Sequence, residues 1–357
     1  MKLKKQVSLS IIIPTYNDTE EKIRRSLDSI VSQEGYDLST TEIIVVDDGS
    51  NKSKIRWQEI IEFYSSLRVV YKKCLANRGA GVARQIALDI ANGKYVFFLD
   101  CGDCLVNDVV LETFSKYSEG SNDIVVTNIN DELFGYKKRN FLSGNAYIFG
   151  IFIKRSFLNE NSIVFSDVLR WEEDAYYEQL LRFYSPRIVS ANIIGYTYSY
   201  DTDSVTRRND YEYQISFGGF CAMVVKSILL CNYYRLHDAT YNITEELTKI
   251  LTLCYRKFYD DVILKRRISD AQKNVLFLLR ILLEKFEKMV DQQEARLLFS
   301  KIMSKTNKLR WYQGIMMIPD EKIDDFLEII SNAESPDVRR LIKGTNVSIE
   351  KLLAIIN

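Results

Sequence analysis

Val7-Ser8-Leu9-Ser10-Ile11-Ile12-Ile13-Pro14-Thr15-Tyr16-Asn17 is an apolar run that meets a proline and opens into polar residues. It predicts a buried parallel strand over Val7 to Ile13, ended by Pro14. Downstream, Asp18 and Glu21 have the spacing of a capping box. Ile23, Leu27, Ile30 and Val31 then recur at helical spacing until Gly35. Glu42 to Val46 predicts a second strand running into Asp47-Asp48-Gly49-Ser50, and Leu67 to Tyr71 a third. Ala83, Ile86, Ala87 and Ile90 define another helix, stopped by Gly93. Lys94 to Leu99 predicts a fourth strand that ends on Asp100. Strands and helices alternating at these intervals predict a parallel α/β sheet.

In such sheets ligands bind outside the carboxyl ends of the strands. Three polar clusters fall there: Pro14-Thr15-Tyr16-Asn17, Asp47-Asp48-Gly49-Ser50 and Asp100-Cys101-Gly102-Asp103. Turns favour the same residue types, and a plain turn explains Asp47 to Ser50 taken alone. Three such clusters on one edge instead point to a site for a nucleotide and a cation.

Composition narrows the function classes. The chain has 357 residues, enough for about two domains, and 46% hydrophobic with 27% charged residues describes a globular protein. Lys plus Arg and Asp plus Glu are both 48, so no general electrostatic affinity for nucleic acid or anionic lipid is indicated. The best apolar run, Val275 to Leu283, is short and carries Arg280, and no segment is long enough to span a bilayer. The basic start, Met1 to Gln6, reads as a tail entering a strand rather than a signal peptide. Six cysteines without a disulfide-like array fit a reducing compartment, which predicts a cytoplasmic protein, peripheral at most to the inner face of the membrane. Cys101 and Cys104 overlap the third cluster, but with one histidine and no second Cys-x-x-Cys they read as bystanders.

Ser10 to Asn17, Val45-Val46-Asp47-Asp48-Gly49-Ser50, Asn77-Arg78-Gly79-Ala80-Gly81-Val82-Ala83-Arg84 and Phe98-Leu99-Asp100-Cys101-Gly102-Asp103 occur in one order. Lys154 to Leu158, Trp171-Glu172-Glu173-Asp174 and Tyr196 to Tyr200 follow. Together, over about residues 7 to 208, they resemble the family 2 glycosyltransferases with the GT-A fold, a Rossmann-like nucleotide-binding sheet. The resemblance implies an inverting transfer of a sugar from a UDP-sugar to a hydroxyl of a glycan, glycolipid or glycoprotein. It also implies that Asp47, Asp48 and Asn77 contact the base or ribose, with Pro14, Thr15 and Tyr16 flanking the uracil. Asp100 and Asp103 would hold Mn²⁺ or Mg²⁺, a hard cation that takes oxygen ligands and bridges the leaving diphosphate. Arg84 faces either the phosphates or the aspartates, and a salt bridge to Asp100 accounts for it equally well.

Asp174 matches the position of the family's catalytic base, with Glu173 helping to place it. Without the upstream motifs, acidic residues in a first helical turn would explain both. Trp171 either stacks on a sugar or packs in the core. The family pattern at the metal site is Asp-x-Asp-Asp, and Gly102 replaces its middle carboxylate. That departure carries the alternative reading, a catalytically degenerate sugar-nucleotide-binding or assembly subunit.

After the polar stretch Asp201 to Asp210 the pattern turns helical, with amphipathic segments at Asn242 to Phe258, Ile268 to Val290 and Asp320 to Ile330. Ser335-Pro336-Asp337 has the form of a further helix start. The expected organisation is a catalytic domain over 1–210, its donor half 1–115 and acceptor half 116–210, and an all-helical domain over 211–357. The latter would contact an acceptor, a second copy of the chain or a membrane surface.

Overall fold

The computed structural model describes residues 6–51, 55–137, 148–200, 217–264, 268–312, 318, 322–337, 339 and 341–357. The chain divides into two compact units, Met1–Asp203 and Ser204–Asn357. The polar stretch Asp201 to Asp210 and the expected boundary after residue 210 lie outside the described residues.

The first unit is built on a mixed sheet. Strands β1 (Leu9–Thr15), β2 (Thr41–Asp47), β3 (Arg68–Lys73) and β4 (Tyr95–Phe98) pair in the parallel order β3-β2-β1-β4. Beyond β4 the sheet continues through β7 (Ile151–Lys154), β5 (Ile124–Asp131) and β6 (Gly135–Lys137), with antiparallel pairing at each step. Strand β8 (Ile188–Tyr198) pairs parallel to β5. Continuous parallel pairing is therefore confined to β3-β2-β1-β4, with one further parallel pair at β5 and β8. All seven residues of β1 and of β2 are buried. Burying an isoleucine such as Ile11 or Ile43 is worth about 1.5–3 kcal/mol, and this row of them holds the strand ends in place.

Pro14 does not end β1, which runs on to Thr15. The carbonyl of Ile12 accepts from Leu99 N–H, so even-numbered residues of β1 face β4. Pro14 thus turns its missing N–H towards a strand that has already finished at Phe98, where no ladder bond is lost. The start of helix α1 (Glu20–Val31) also differs from the sequence expectation. Thr19 is the cap, accepting from Lys22 N–H, while Asp18 accepts from Thr15 Oγ1 at 2.9 Å and Tyr16 N–H at 3.0 Å. Asp18 is more useful closing the turn after β1 than capping a helix that Thr19 already serves. The helix stops at Val31, before Gly35. Helices α2 (Trp57–Phe63), α3 (Ala80–Ile90), α4 (Val110–Ser118), α5 (Arg155–Glu160) and α6 (Glu173–Phe183) complete the unit.

The second unit is helical: α7 (Phe217–His237), α8 (Thr244–Phe258), α9 (Asp270–Phe286), α10 (Gln292–Tyr312), α11 (Ile323–Ser331) and α12 (Ile349–Ile356). Helix α7 was not legible as an amphipathic pattern because it is apolar on most sides. Ala222, Val224, Val225, Ile228, Leu230 and Cys231 are all buried. The segment expected as one helix from Ile268 to Val290 is α9 followed by a 3₁₀ turn at Glu287–Met289. Ser269 and Gln272 form the capping box that starts it. No helix begins at Ser335 to Asp337; the Asp337 carboxylate accepts from Arg339 N–H instead. Among the described residues, no helix is long and apolar enough to cross a membrane.

Candidate active site

Parallel register brings Thr15 beside Asp47 and Ile12 beside Phe98, so the carboxyl ends of β1, β2 and β4 share one edge. The turns beyond them are tied together. Asn17, with φ 55°, donates its N–H to Ser50 Oγ at 2.7 Å, and its Oδ1 accepts from Asn51 N–H at 3.1 Å. Pro14 and Thr15 are buried, whereas Tyr16 is 44% exposed and is the member of that trio open to a ligand.

Asp47 and Asp48 are turned into the protein. Asp47 accepts from Ser50 N–H at 2.7 Å and from the Tyr71 hydroxyl at 3.0 Å. Asp48 accepts from Arg78 N–H at 2.9 Å and Gly79 N–H at 2.7 Å, and burial raises its pKa. Both carboxylates shape the loops expected to meet a nucleotide. Gly49, with φ 76°, is needed here because a Cβ would fall 2.6 Å from the Ala76 carbonyl carbon. Asn77 accepts a hydrogen bond from Arg170.

At the end of β4, Asp100 is one-third exposed and its Oδ1 receives Arg84 Nη2 at 2.7 Å. Asp103 is enclosed instead. It is buried, accepting from the Tyr196 hydroxyl on one oxygen and from Ser199 N–H at 2.8 Å on the other. Burial, and then the charge of Asp100, push its carboxyl up to about 7. Strand β8 delivers Tyr196 and leads into Ser199, and Thr197 N–H bonds to Cys104 O at 2.8 Å between them. Gly102 has φ +94°, donates to Ser26 Oγ and accepts from Ser199 Oγ, so the turn is closed in a backbone conformation that suits glycine.

The two expected metal ligands differ in their surroundings. Asp103 is spent on Tyr196 and Ser199, and Asp100 has Arg84 on one oxygen. No three His, Cys, Asp or Glu side chains among the described residues gather closely enough to hold a metal by themselves. Of the two expected ligands, Asp100 is the one left partly exposed. Cys101 is half-buried, with a thiol raised well above the ordinary value by burial, as suits an inert residue.

Helix α6 supplies the opposite side. Glu172 precedes it with φ +66°, a left-handed conformation uncommon outside glycine. Glu173 Oε1 lies 3.1 Å from Arg84 Nη1, and Asp174 Oδ1 accepts from Ala175 N–H at 2.7 Å. Burial raises the pKa of both carboxyls. Arg84 is itself buried, yet Asp100 and Glu173 outweigh the cost of that burial and raise its pKa above the ordinary arginine value. Its guanidinium lies 6.0 Å from the Phe165 ring, which stacks on Tyr177 at 3.9 Å. Trp171 is half-buried.

The structure thus brings Asp100, Arg84, Glu173 and Asp174 together, while Asp47, Asp48 and Asp103 accept hydrogen bonds from neighbouring protein groups. Sequence alone assigns no role to Tyr71, Arg170, Tyr196 or Ser199. Tyr196 and Ser199 lie in the Tyr196 to Tyr200 segment, and only the course of β8 shows what they touch.

The model of the family described as "Glycosyl transferase family 2" matches residues 10–180. An uncharacterized glycosyltransferase of Methanocaldococcus jannaschii is 35% identical over 118 residues, which are 32% of this chain and 39% of that protein. A poly(ribitol-phosphate) beta-glucosyltransferase of Bacillus spizizenii is 30% identical over 190 residues, 47% of this chain and 28% of that protein. The chain thus spans less than half the length of either relative. The crystal structure of S. aureus TarS 1-349 in complex with UDP-GlcNAc is similar in fold. Its TM-score is 0.61 at 19% identity, over 87% of this chain and 93% of that one.

Proposed function

The chain belongs to glycosyl transferase family 2 through residues 10–180, and from that premise we propose that it transfers a sugar from a UDP-sugar to an acceptor hydroxyl with inversion. The observation that supports this most is the single buried guanidinium of Arg84, which links the end of β4 to the start of α6. It sets a donor-side carboxylate, Asp100, within one side chain's reach of the acidic start of α6.

In this reading Asp174 takes the proton of the acceptor hydroxyl as that oxygen attacks the anomeric carbon. The bond from that carbon to the diphosphate breaks on the opposite face, and UDP leaves with the electron pair. Burial lifts the Asp174 carboxyl above the ordinary aspartate value, which strengthens it as a base at neutral pH. Glu173, fixed by Arg84, sets the angle of the turn that carries Asp174. Tyr16 offers an exposed ring at the nucleotide edge, while Asp47, Asp48 and Asn77 hold the loops around it. Asp100 would be the residue to hold Mn²⁺ or Mg²⁺, which would neutralise charge on the leaving diphosphate.

Acceptors to try first are glycan, glycolipid and glycoprotein hydroxyls and, after the Bacillus relative's printed activity, a polyol-phosphate polymer. A cytoplasmic site of action, where UDP-sugars are made, belongs to the same reading. The test is thermal stabilisation by UDP and a panel of UDP-sugars, followed by UDP release with each acceptor. No stabilisation by any uridine nucleotide, with tight binding of another nucleotide class, would overturn it. Gly102 and the inward Asp103 favour one second reading, a subunit that binds the sugar nucleotide without transferring it. Binding of the donor without UDP release under every acceptor condition distinguishes that case.

A further inference from the structure

Gly81 and Arg84 are three positions apart on α3 and so lie on one face of that helix. Glu173 of α6 enters that face. A Cβ on Gly81 would stand 2.7 Å from Glu173 Cγ, and Arg84 Nη1 meets Glu173 Oε1 at 3.1 Å. The glycine makes room for the carboxylate that the arginine then binds. The other terminal nitrogen of Arg84 holds Asp100 at 2.7 Å. The side chain is 6% exposed, and its Nε is buried without a hydrogen-bond partner among the described residues. This guanidinium is spent on two protein carboxylates rather than offered to a phosphate.

We propose that Arg84 is a positioning residue that fixes the first turn of α6 against the end of β4 and does not touch the donor. The proposal rests on the transferase reading above, in which Asp174 is the base. It departs from the expectation, drawn from the motif, that Arg84 binds the nucleotide. Three carboxylates, Asp100, Glu173 and Asp174, surround one cation, so its loss leaves buried like charges facing each other across the junction of β4 and α6. Glu172 adds to the need for a hold, because a non-glycine residue keeps a left-handed conformation only where its surroundings impose it.

Arg84→Lys and Arg84→Met test this with two measurements on the full chain. Calorimetry with UDP reads the donor side, and UDP release from UDP-N-acetylglucosamine reads turnover. The expected result is UDP affinity at the wild-type value with turnover lowered about a hundredfold, the cost of misplacing a reacting group by about 1 Å. Hydrogen exchange supplies a readout independent of the sugar. The amides of Tyr176 and Tyr177 exchange faster in both variants, while those of β1 and β2 keep their rates.

Loss of UDP affinity in step with turnover would make Arg84 a donor ligand and overturn the proposal, as would unchanged exchange in α6. Should Arg84→Met fail to fold, Glu173→Gln breaks the same ion pair from the other side and must show the same split. Full turnover in that variant overturns the proposal too. A wild-type protein that binds no UDP sinks the transferase reading alone, and the exchange measurement still decides the positioning role.

Discussion

The hydroxyl of Tyr196, near the end of β8, donates to Asp103, the last carboxylate of the β4 motif. Asp103 becomes a clasp between the Asp100–Asp103 turn and β8. Asp100 is left as the partly exposed carboxylate of that turn.

This clasp has a pH signature. Asp103 rises from an ordinary value of 3.8 to about 7, because burial outweighs the donors Tyr196 and Ser199. A carboxyl raised in the folded state adds stability that is fully present below its unfolded pKa and lost as pH rises through the folded one. Wild-type melting temperature is therefore expected to contain a component that falls between about pH 4 and pH 7. Asp103→Asn should flatten it; equal slopes in the two proteins would show that Asp103 does not titrate there.

Metal dependence separates the two aspartates. The ratio of UDP affinity in Mn²⁺ to that in EDTA is expected to stay at the wild-type value in Asp103→Asn, which loses only stability. In Asp100→Asn the ratio should move towards one. Calorimetric titrations of the three proteins decide this, and collapse of the ratio in the Asp103 variant alone would restore Asp103 as a ligand.

Asp174→Asn preserves shape and removes the proton acceptor. Turnover is expected to fall about a hundredfold or more, within the usual range for a general base, while UDP binding holds. Wild-type turnover in this variant would sink the base assignment. Lost UDP binding would instead move Asp174 to the nucleotide side.

Gly81→Ala places a methyl where Glu173 now lies, 2.7 Å from its Cγ. Overpacking of that kind costs about 1–3 kcal/mol, and the pressure falls on the turn carrying Asp174. The expectation is a lower denaturation midpoint together with reduced UDP release. A variant equal to wild type in both would mean that α3 and α6 are not in close contact in solution.

Much of the first unit was legible in local sequence. The runs ending near Pro14, Asp47 and Asp100 read as strands because their buried faces demand continuous apolar residues, and β1, β2 and β4 lie there within two residues. Amphipathic α1, α3, α8 and α9 read for the same reason. Helix α7 did not, since a helix buried on most sides carries no period to detect. The antiparallel pairings beyond β4 are not legible either, because local apolar patterns do not tell which strand will pair with which.

Sequence by itself fixed the identities gathered at the strand ends: aspartates after β2 and β4, and an acidic start to α6. It also singled out Gly102 as the odd member of its motif. Tertiary structure alone decided which of those carboxylates point inward. Asp48 faces the amides of Arg78 and Gly79, Asp103 faces Tyr196 and Ser199, and Asp100 meets Glu173 across Arg84. The physical reason is that a carboxylate's role depends on what surrounds it once water is excluded. Those neighbours come from strands and helices as far as 96 positions away, which no local spacing encodes.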